Sequence, residues 1–147
     1  MIPKSEPRGA GPPPPRLLRY PLAGGWEVLA GRSDADNDRL SLKLARPDDL
    51  WFHVRGMPGS HVILRARPDR QPDRDTLRRA AAIAAYHSKA RDGGTVAVSC
   101  TEARHVSKPR GASPGTVAIR KERIIKVRPG LPPGAPAPED PPPAREG

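Results

Sequence analysis

Four histidines, His53, His61, His87 and His105, and one cysteine, Cys100, are the side chains of this 147-residue chain best suited to metal binding or acid–base work. Their spacing supports no such chemistry. None falls in a His-Glu-x-x-His or paired Cys-x-x-Cys arrangement, which would hold ligands on one helix face or one knuckle, so no metal site is expected. Ser60 precedes His61, but neighbouring strand residues point to opposite faces, so the two cannot pair as nucleophile and base without a turn between them. The chain has no Gly-x-Ser-x-Gly elbow, no Walker loop and no Gly-x-Gly-x-x-Gly. Asp34, Asp36 and Asp38 begin like a calcium loop that fails at its sixth position, Arg39, and its twelfth, Ala45. Helix capping accounts for the triplet better. No catalytic residues and no cofactor are expected.

The cations are better organised. Residues 76–129 hold twelve Lys and Arg against three Asp and Glu, whereas residues 21–75 hold nine of each, so nearly all of the +10 formal charge lies in the second half. Such segregation points to a polyanionic partner, nucleic acid before membrane. Lys89 and Arg91 fall at the end of the longest helical pattern, where the helix dipole also favours cations. Arg104, Lys108 and Arg110 lie in a loop with Gly111 and Gly115, where the backbone can approach a phosphate closely. The few aromatic residues, Tyr20, Trp26, Trp51, Phe52 and Tyr86, do not make a base-stacking platform, so recognition by shape and phosphate is favoured. DNA is the alternative partner, because phosphate contacts do not choose the sugar.

Proline density sets the expected boundaries. Seven of the 21 prolines lie in residues 1–21 and eight in residues 129–147, which marks 1–21 and 130–147 as disordered Pro-rich tails around a single domain at 22–129. The longest apolar run, residues 80–86, is well short of the roughly 20 residues needed to span a bilayer. Residues 1–15 lack the apolar core of a secretory signal, so a cytoplasmic location with no membrane association is expected. A lone cysteine excludes an intrachain disulfide and reads as a buried reduced thiol.

Within the domain, strands are expected over 16–20 and 26–30, then a short helix near 35–45. The alternation of Leu40, Leu42 and Leu44 leaves a strand as the alternative there. Strands 51–55 and 61–65 flank the turn Gly56-Met57-Pro58-Gly59. If residue 53 lies opposite 61, then Phe52, Val54, Val62 and Leu64 face the core and His53, Arg55, His61 and Arg65 share the other face. A helix over 75–91 carries the small-residue stripe Leu77, Ala80, Ala81, Ala84, Ser88. A strand over 95–100, a basic loop over 104–115 and a closing hairpin of 116–120 with 124–127 complete the chain. The fold class is α+β: a single small domain with a mostly antiparallel sheet packed against one long helix and a short second helix.

Several blocks resemble the NFACT RNA-binding (NFACT-R) domain family: Gly31-Arg32 to Asn37-Asp38, Asp49-Leu50-Trp51-Phe52-His53-Val54, and Gly56-Met57-Pro58-Gly59-Ser60-His61-Val62. Residues 81–91, Ala-Ala-Ile-Ala-Ala-Tyr-His-Ser-Lys-Ala-Arg, then His105-Val106-Ser107-Lys108-Pro109 and residues 111–117 continue the resemblance in the family's order. In that family the domain belongs to multidomain proteins of ribosome-associated quality control, which bind the large ribosomal subunit carrying a stalled chain and recruit tRNA. The resemblance therefore implies RNA binding, to tRNA or rRNA, with the large subunit as a further partner. At 147 residues the chain has no room for the family's other domains, so it resembles a stand-alone form. Ser33, His87 and Ser107 depart from the family's usual Asn, Tyr and Lys. By this resemblance Arg55, Lys89, Arg91, Lys108 and Arg110 contact phosphate or sugar. His53, His61 and His105 hydrogen-bond or stack. For His53 and His61, ordering the turn between their strands is an equal alternative.

Overall fold

A computed structural model describes residues 16–133. Most of the two expected tails, residues 1–15 and 134–147, lies outside that range. Strand β1 (Leu17–Leu22) pairs with β2 (Trp26–Gly31), Leu22 standing opposite Trp26. The folded chain thus starts upstream of residue 22, where proline density had placed the boundary. Tyr20 and Leu22 point into the core, and Pro21 is tolerated because β1 is an outer strand that needs fewer ladder donors.

Helix α1 (Asp34–Arg39) starts at Ser33, whose hydroxyl oxygen accepts from the Asp36 amide at 3.1 Å, and Asp34 and Asp36 complement the dipole in the first turn. A π-helical turn, Leu40–Leu44, extends it, closed by the Ala45 amide donating to the Leu40 carbonyl at 2.9 Å. The helical reading of this segment holds. Strand β3 (Leu50–Val54) then meets β4 (Val62–Leu64) with Phe52 opposite Val62 and Trp51 opposite Ile63, the expected register. Phe52, Val54, Val62 and Leu64 accordingly enter the main core. Helix α2 (Arg74–Tyr86) lies across that face, capped by Asp73, with Ala80, Ala81, Ala84 and Ala85 wholly buried. Methyl-sized side chains let its backbone come close to the sheet. Strands β5 (Val96–Glu102) and β8 (Arg123–Val127) complete a six-stranded antiparallel sheet in the order β1-β2-β4-β3-β5-β8. No described helix is long and apolar enough to cross a membrane.

Two expectations need correction. Helix α2 ends at Tyr86, not 91. The Ser88 hydroxyl donates to the Ala85 carbonyl at 2.7 Å, and the chain leaves the helix to run beside Gly59, whose next residue, Ser60, donates its amide to the His87 carbonyl at 3.0 Å. Glycine is required at 59, since a Cβ there would lie 2.9 Å from that of Ser88. Lys89 and Arg91 therefore sit in turns beyond the helix.

The closing hairpin is also different. A two-residue strand β6 (Val106–Ser107) inside the basic loop pairs with β7 (Ala118–Ile119), and β8 pairs with β5 instead. Lys121, at φ 58°, makes the turn between the two sheets. The second face of the main sheet is also covered along part of its length. Leu29, Leu40, Trp51 and Ile63 form a second core there, with Val106, Val117 and Ile119 packed on it. Burying those side chains is what draws the small sheet onto this face.

Candidate functional site

His61 is the best-anchored polar side chain of this second face, 2 % exposed. Its backbone amide donates to Asn37 Oδ1 at 3.0 Å, and its Nε2 donates to the Gly115 carbonyl at 3.1 Å. A carbonyl can only accept, so Nε2 carries the proton and Nδ1 accepts from the Ser41 hydroxyl at 2.8 Å. Ser41 Oγ accepts in turn from Trp51 Nε1 at 2.9 Å. Burial pushes the His61 pKa down to about 4, with the His53 ring adding to the effect, so the imidazole is neutral at pH 7. Gly31 leaves room for Asn37, because any Cβ at 31 would collide with Asn37 Oδ1. Sequence reasoning missed Asn37 and Ser41. Their i, i+4 spacing, which puts both on one helix face, was the available signal.

His53 is half-buried. Its ring stacks on Trp51, with centroids 5.9 Å apart and planes at 25°, and meets His61 edge-on at 5.5 Å. Burial lowers its pKa against an opposing hydrogen bond with the Gly59 backbone. It lines a cleft of about 570 Å3 together with Arg55, Ser99, Gly115 and Glu122. Arg55 Nε is 3.5 Å from Glu122 Oε2, which also accepts from the Ser99 hydroxyl at 2.6 Å. The one cation lining this cleft, Arg55, is outnumbered by two carboxylates, Glu122 and Asp34, and its histidines are neutral. Its walls suit a neutral hydrogen-bonding group, such as a base edge or sugar hydroxyl, better than a phosphate. Ser60 donates its hydroxyl to the Gly31 carbonyl at 2.7 Å, away from the His61 ring.

The remaining predicted residues divide. Lys108 is held inside its loop: Nζ lies 3.0 Å from Asp38 Oδ2 and donates to the carbonyls of Ser113 and Thr116 at 2.5 and 2.9 Å. Those bonds fix the loop that carries Gly115 and leave Lys108 little capacity for a phosphate. Arg91 stacks over the Tyr86 ring at 4.1 Å and donates from Nε to the Tyr86 carbonyl at 2.8 Å, closing the end of α2. Lys89 is exposed, and its amide reaches the Pro58 carbonyl at 3.4 Å. Arg110 is exposed and makes no ion pair among the described residues. His105, its side chain only 15 % exposed and 3.7 Å from Glu102, lines a different cleft with Arg65 and Lys121. His87, the fourth histidine, has Nε2 2.7 Å from the Tyr20 hydroxyl, whose pKa burial raises to about 12. Among the described residues no three His, Cys, Asp or Glu side chains converge on one point.

Of the twelve cations in residues 76–129, three form ion pairs, Arg79, Arg104 and Lys108. The others have no carboxylate partner among the described residues. A small antiparallel α+β domain with such a surplus of unopposed cations outside its histidine cleft is, by class, a polyanion-binding module.

The chain belongs to the NFACT RNA-binding domain family: the model of the NFACT protein RNA binding domain matches residues 20–121. It is similar to the Rqc2 homolog RqcH of Bacillus subtilis (strain 168), 41 % identical over 115 residues that cover 78 % of this chain and 20 % of that protein. The Rqc2 homolog RqcH of Streptococcus suis (strain 05ZYH33) is 39 % identical over 102 residues, covering 69 % of this chain and 18 % of that protein. The chain thus spans about a fifth of the length of these relatives. Among solved structures, the C-terminal part of the fibronectin/fibrinogen-binding protein from Streptococcus suis matches with a TM-score of 0.72 at 34 % identity, over 84 % of this chain and 49 % of that one.

Proposed function

We propose that this chain is a non-catalytic module that binds tRNA or ribosomal RNA through phosphate and shape, in the cytoplasm and within ribosome-associated quality control on the large ribosomal subunit. The observation that supports this reading most is the separation of charge from the aromatic cleft. The cations of residues 76–129 without carboxylate partners are exposed on the surface, while His53 and His61 are neutral and turned inward. Cations of this kind attract any polynucleotide, and A-form geometry with its 2′-hydroxyls then selects RNA. His53, neutral and lining the cleft, is the histidine placed to reach a base edge or 2′-hydroxyl. The test is competition at one fixed salt concentration: labelled tRNA bound to the full chain is displaced by unlabelled structured RNA or by duplex DNA of equal phosphate content. Displacement by RNA at clearly lower concentration supports the reading. Equal or better displacement by duplex DNA overturns it in favour of a DNA-binding protein.

A further inference from the structure

A groove of about 430 Å3 runs between α2 and the outer strand β8. Four cations line it, Arg74, Arg78, Arg123 and Lys126, and no carboxylate does. None of the four forms an ion pair among the described residues, unlike Arg55, Arg65, Arg67, Arg79, Arg104 and Lys108 elsewhere on the surface. The acidic residues near in sequence are engaged. Asp73 Oδ1 accepts from the Thr76 amide at 2.8 Å, Asp75 pairs with Arg79 at 2.8 Å, and Glu122 is held by Arg55 and Ser99 in the cleft of His53.

The fold explains the gathering. Arg74 and Arg78 are one turn apart on α2, so they share a helix face. On β8, Ile125 packs on the main core and Val127 is buried in it, which places Arg123 on the same side as α2 by strand alternation, while Ile124 and Lys126 alternate to the other face and line the groove at the open edge of β8. Because β8 is the outer strand, no further strand covers the groove, and Ile124, 39 % exposed, adds an apolar contact beside the charges. Four like charges in one groove repel one another, a cost that an anion bound there removes. Leu77 and Arg123 also line the neighbouring cleft that holds Lys121, so the basic surface continues around the end of the sheet.

We propose that the α2–β8 groove is a binding track for the phosphodiester backbone of a polynucleotide, separate from the cleft at His53. The proposal rests on the RNA-binding reading above and assigns the phosphate contacts to residues outside the loop of Lys108. Consecutive residues serve the two surfaces: Glu122 lines the histidine cleft and Arg123 the groove. One strand passing over the edge at β8 can therefore touch both.

The experiment compares the full chain with two triple variants by binding to total tRNA across a salt series. The first is Arg74→Ala, Arg78→Ala, Lys126→Ala, all exposed side chains; Arg123 is kept because it also contacts Cys100. The second, Arg16→Ala, Lys43→Ala, Arg46→Ala, removes the same charge from exposed sites away from the groove. The groove variant is expected to bind roughly tenfold more weakly near 0.1 M salt and to flatten the slope of log K against log salt by about 2, at roughly 0.7–0.9 for each phosphate that is no longer neutralised. The control variant is expected to change the slope by less than about 1. Equal losses of affinity in the two variants, or an unchanged groove variant beside a parent chain that binds tRNA, overturn the groove while the RNA-binding reading stands. A parent chain that does not bind tRNA overturns both.

Discussion

Lys108 Nζ lies 3.0 Å from Asp38 Oδ2, so the most conspicuous cation of the basic loop is joined to helix α1 across seventy residues of sequence. The ammonium also takes two loop carbonyls, and the loop it closes presents the Gly115 carbonyl to His61. Lys108→Ala should therefore act on stability, lowering it by about 2 kcal/mol because hydrogen bonds to a charged group are removed. Arg110→Ala should leave stability within about 0.5 kcal/mol, as expected of an exposed residue without a partner. Thermal unfolding of the two variants checks this. A larger shift for Arg110→Ala would reverse the roles assigned to the two side chains.

Acid should loosen the same assembly. His61 has a folded-state pKa near 4 against 6.5 for the free side chain, so the unfolded chain takes up its proton first as pH falls. Its contribution is complete above about pH 6.5 and is lost as pH drops from there towards about 4, by up to roughly 3 kcal/mol. His53, also shifted down by burial, acts in the same direction. Denaturant midpoints measured from pH 7 to pH 4.5 should fall steadily, and His61→Asn should show a weaker slope from a lower starting point. A midpoint that rises with acidification would contradict the buried neutral imidazole.

The parts legible in the sequence were those with local period. Phe52, Val54, Val62 and Leu64 alternate around a glycine turn, which was enough to set the β3–β4 register. Strands β6 and β7, two residues each, are too short to show any period, so the sequence carries no sign of their pairing or of the pairing of β8 with β5. The small-residue stripe of α2 runs on to Ser88, whereas packing against Gly59, distant in sequence, ends the helix at Tyr86. The candidate site divides along the same line. His53 and His61 came together as expected, but nothing local marks Asp38 as the partner of Lys108 or joins Arg74 and Arg78 to Lys126.

Asp49 offers a test of the fold at a residue outside the binding surfaces. Its carboxylate is almost fully buried, pairs with Arg65 at 2.8 Å, and accepts the amides of Arg46 and Ala66, each at 2.8 Å. Asp49→Ala strands all three donors and should cost about 3 kcal/mol or more. Asp49→Asn, which can keep one amide bond, should cost less. Urea unfolding of both variants checks the order, and a neutral Asp49→Ala would show that the network is dispensable.

The salt dependence of tRNA binding by the unaltered chain bears most directly on phosphate recognition by the unopposed cations. With four or more phosphates neutralised, log K should fall linearly with log salt at a slope of about −3 or steeper. Binding that is tight yet nearly independent of salt between roughly 50 and 200 mM would contradict it, since contacts confined to the cleft of His53, with its single cation, would release few counterions.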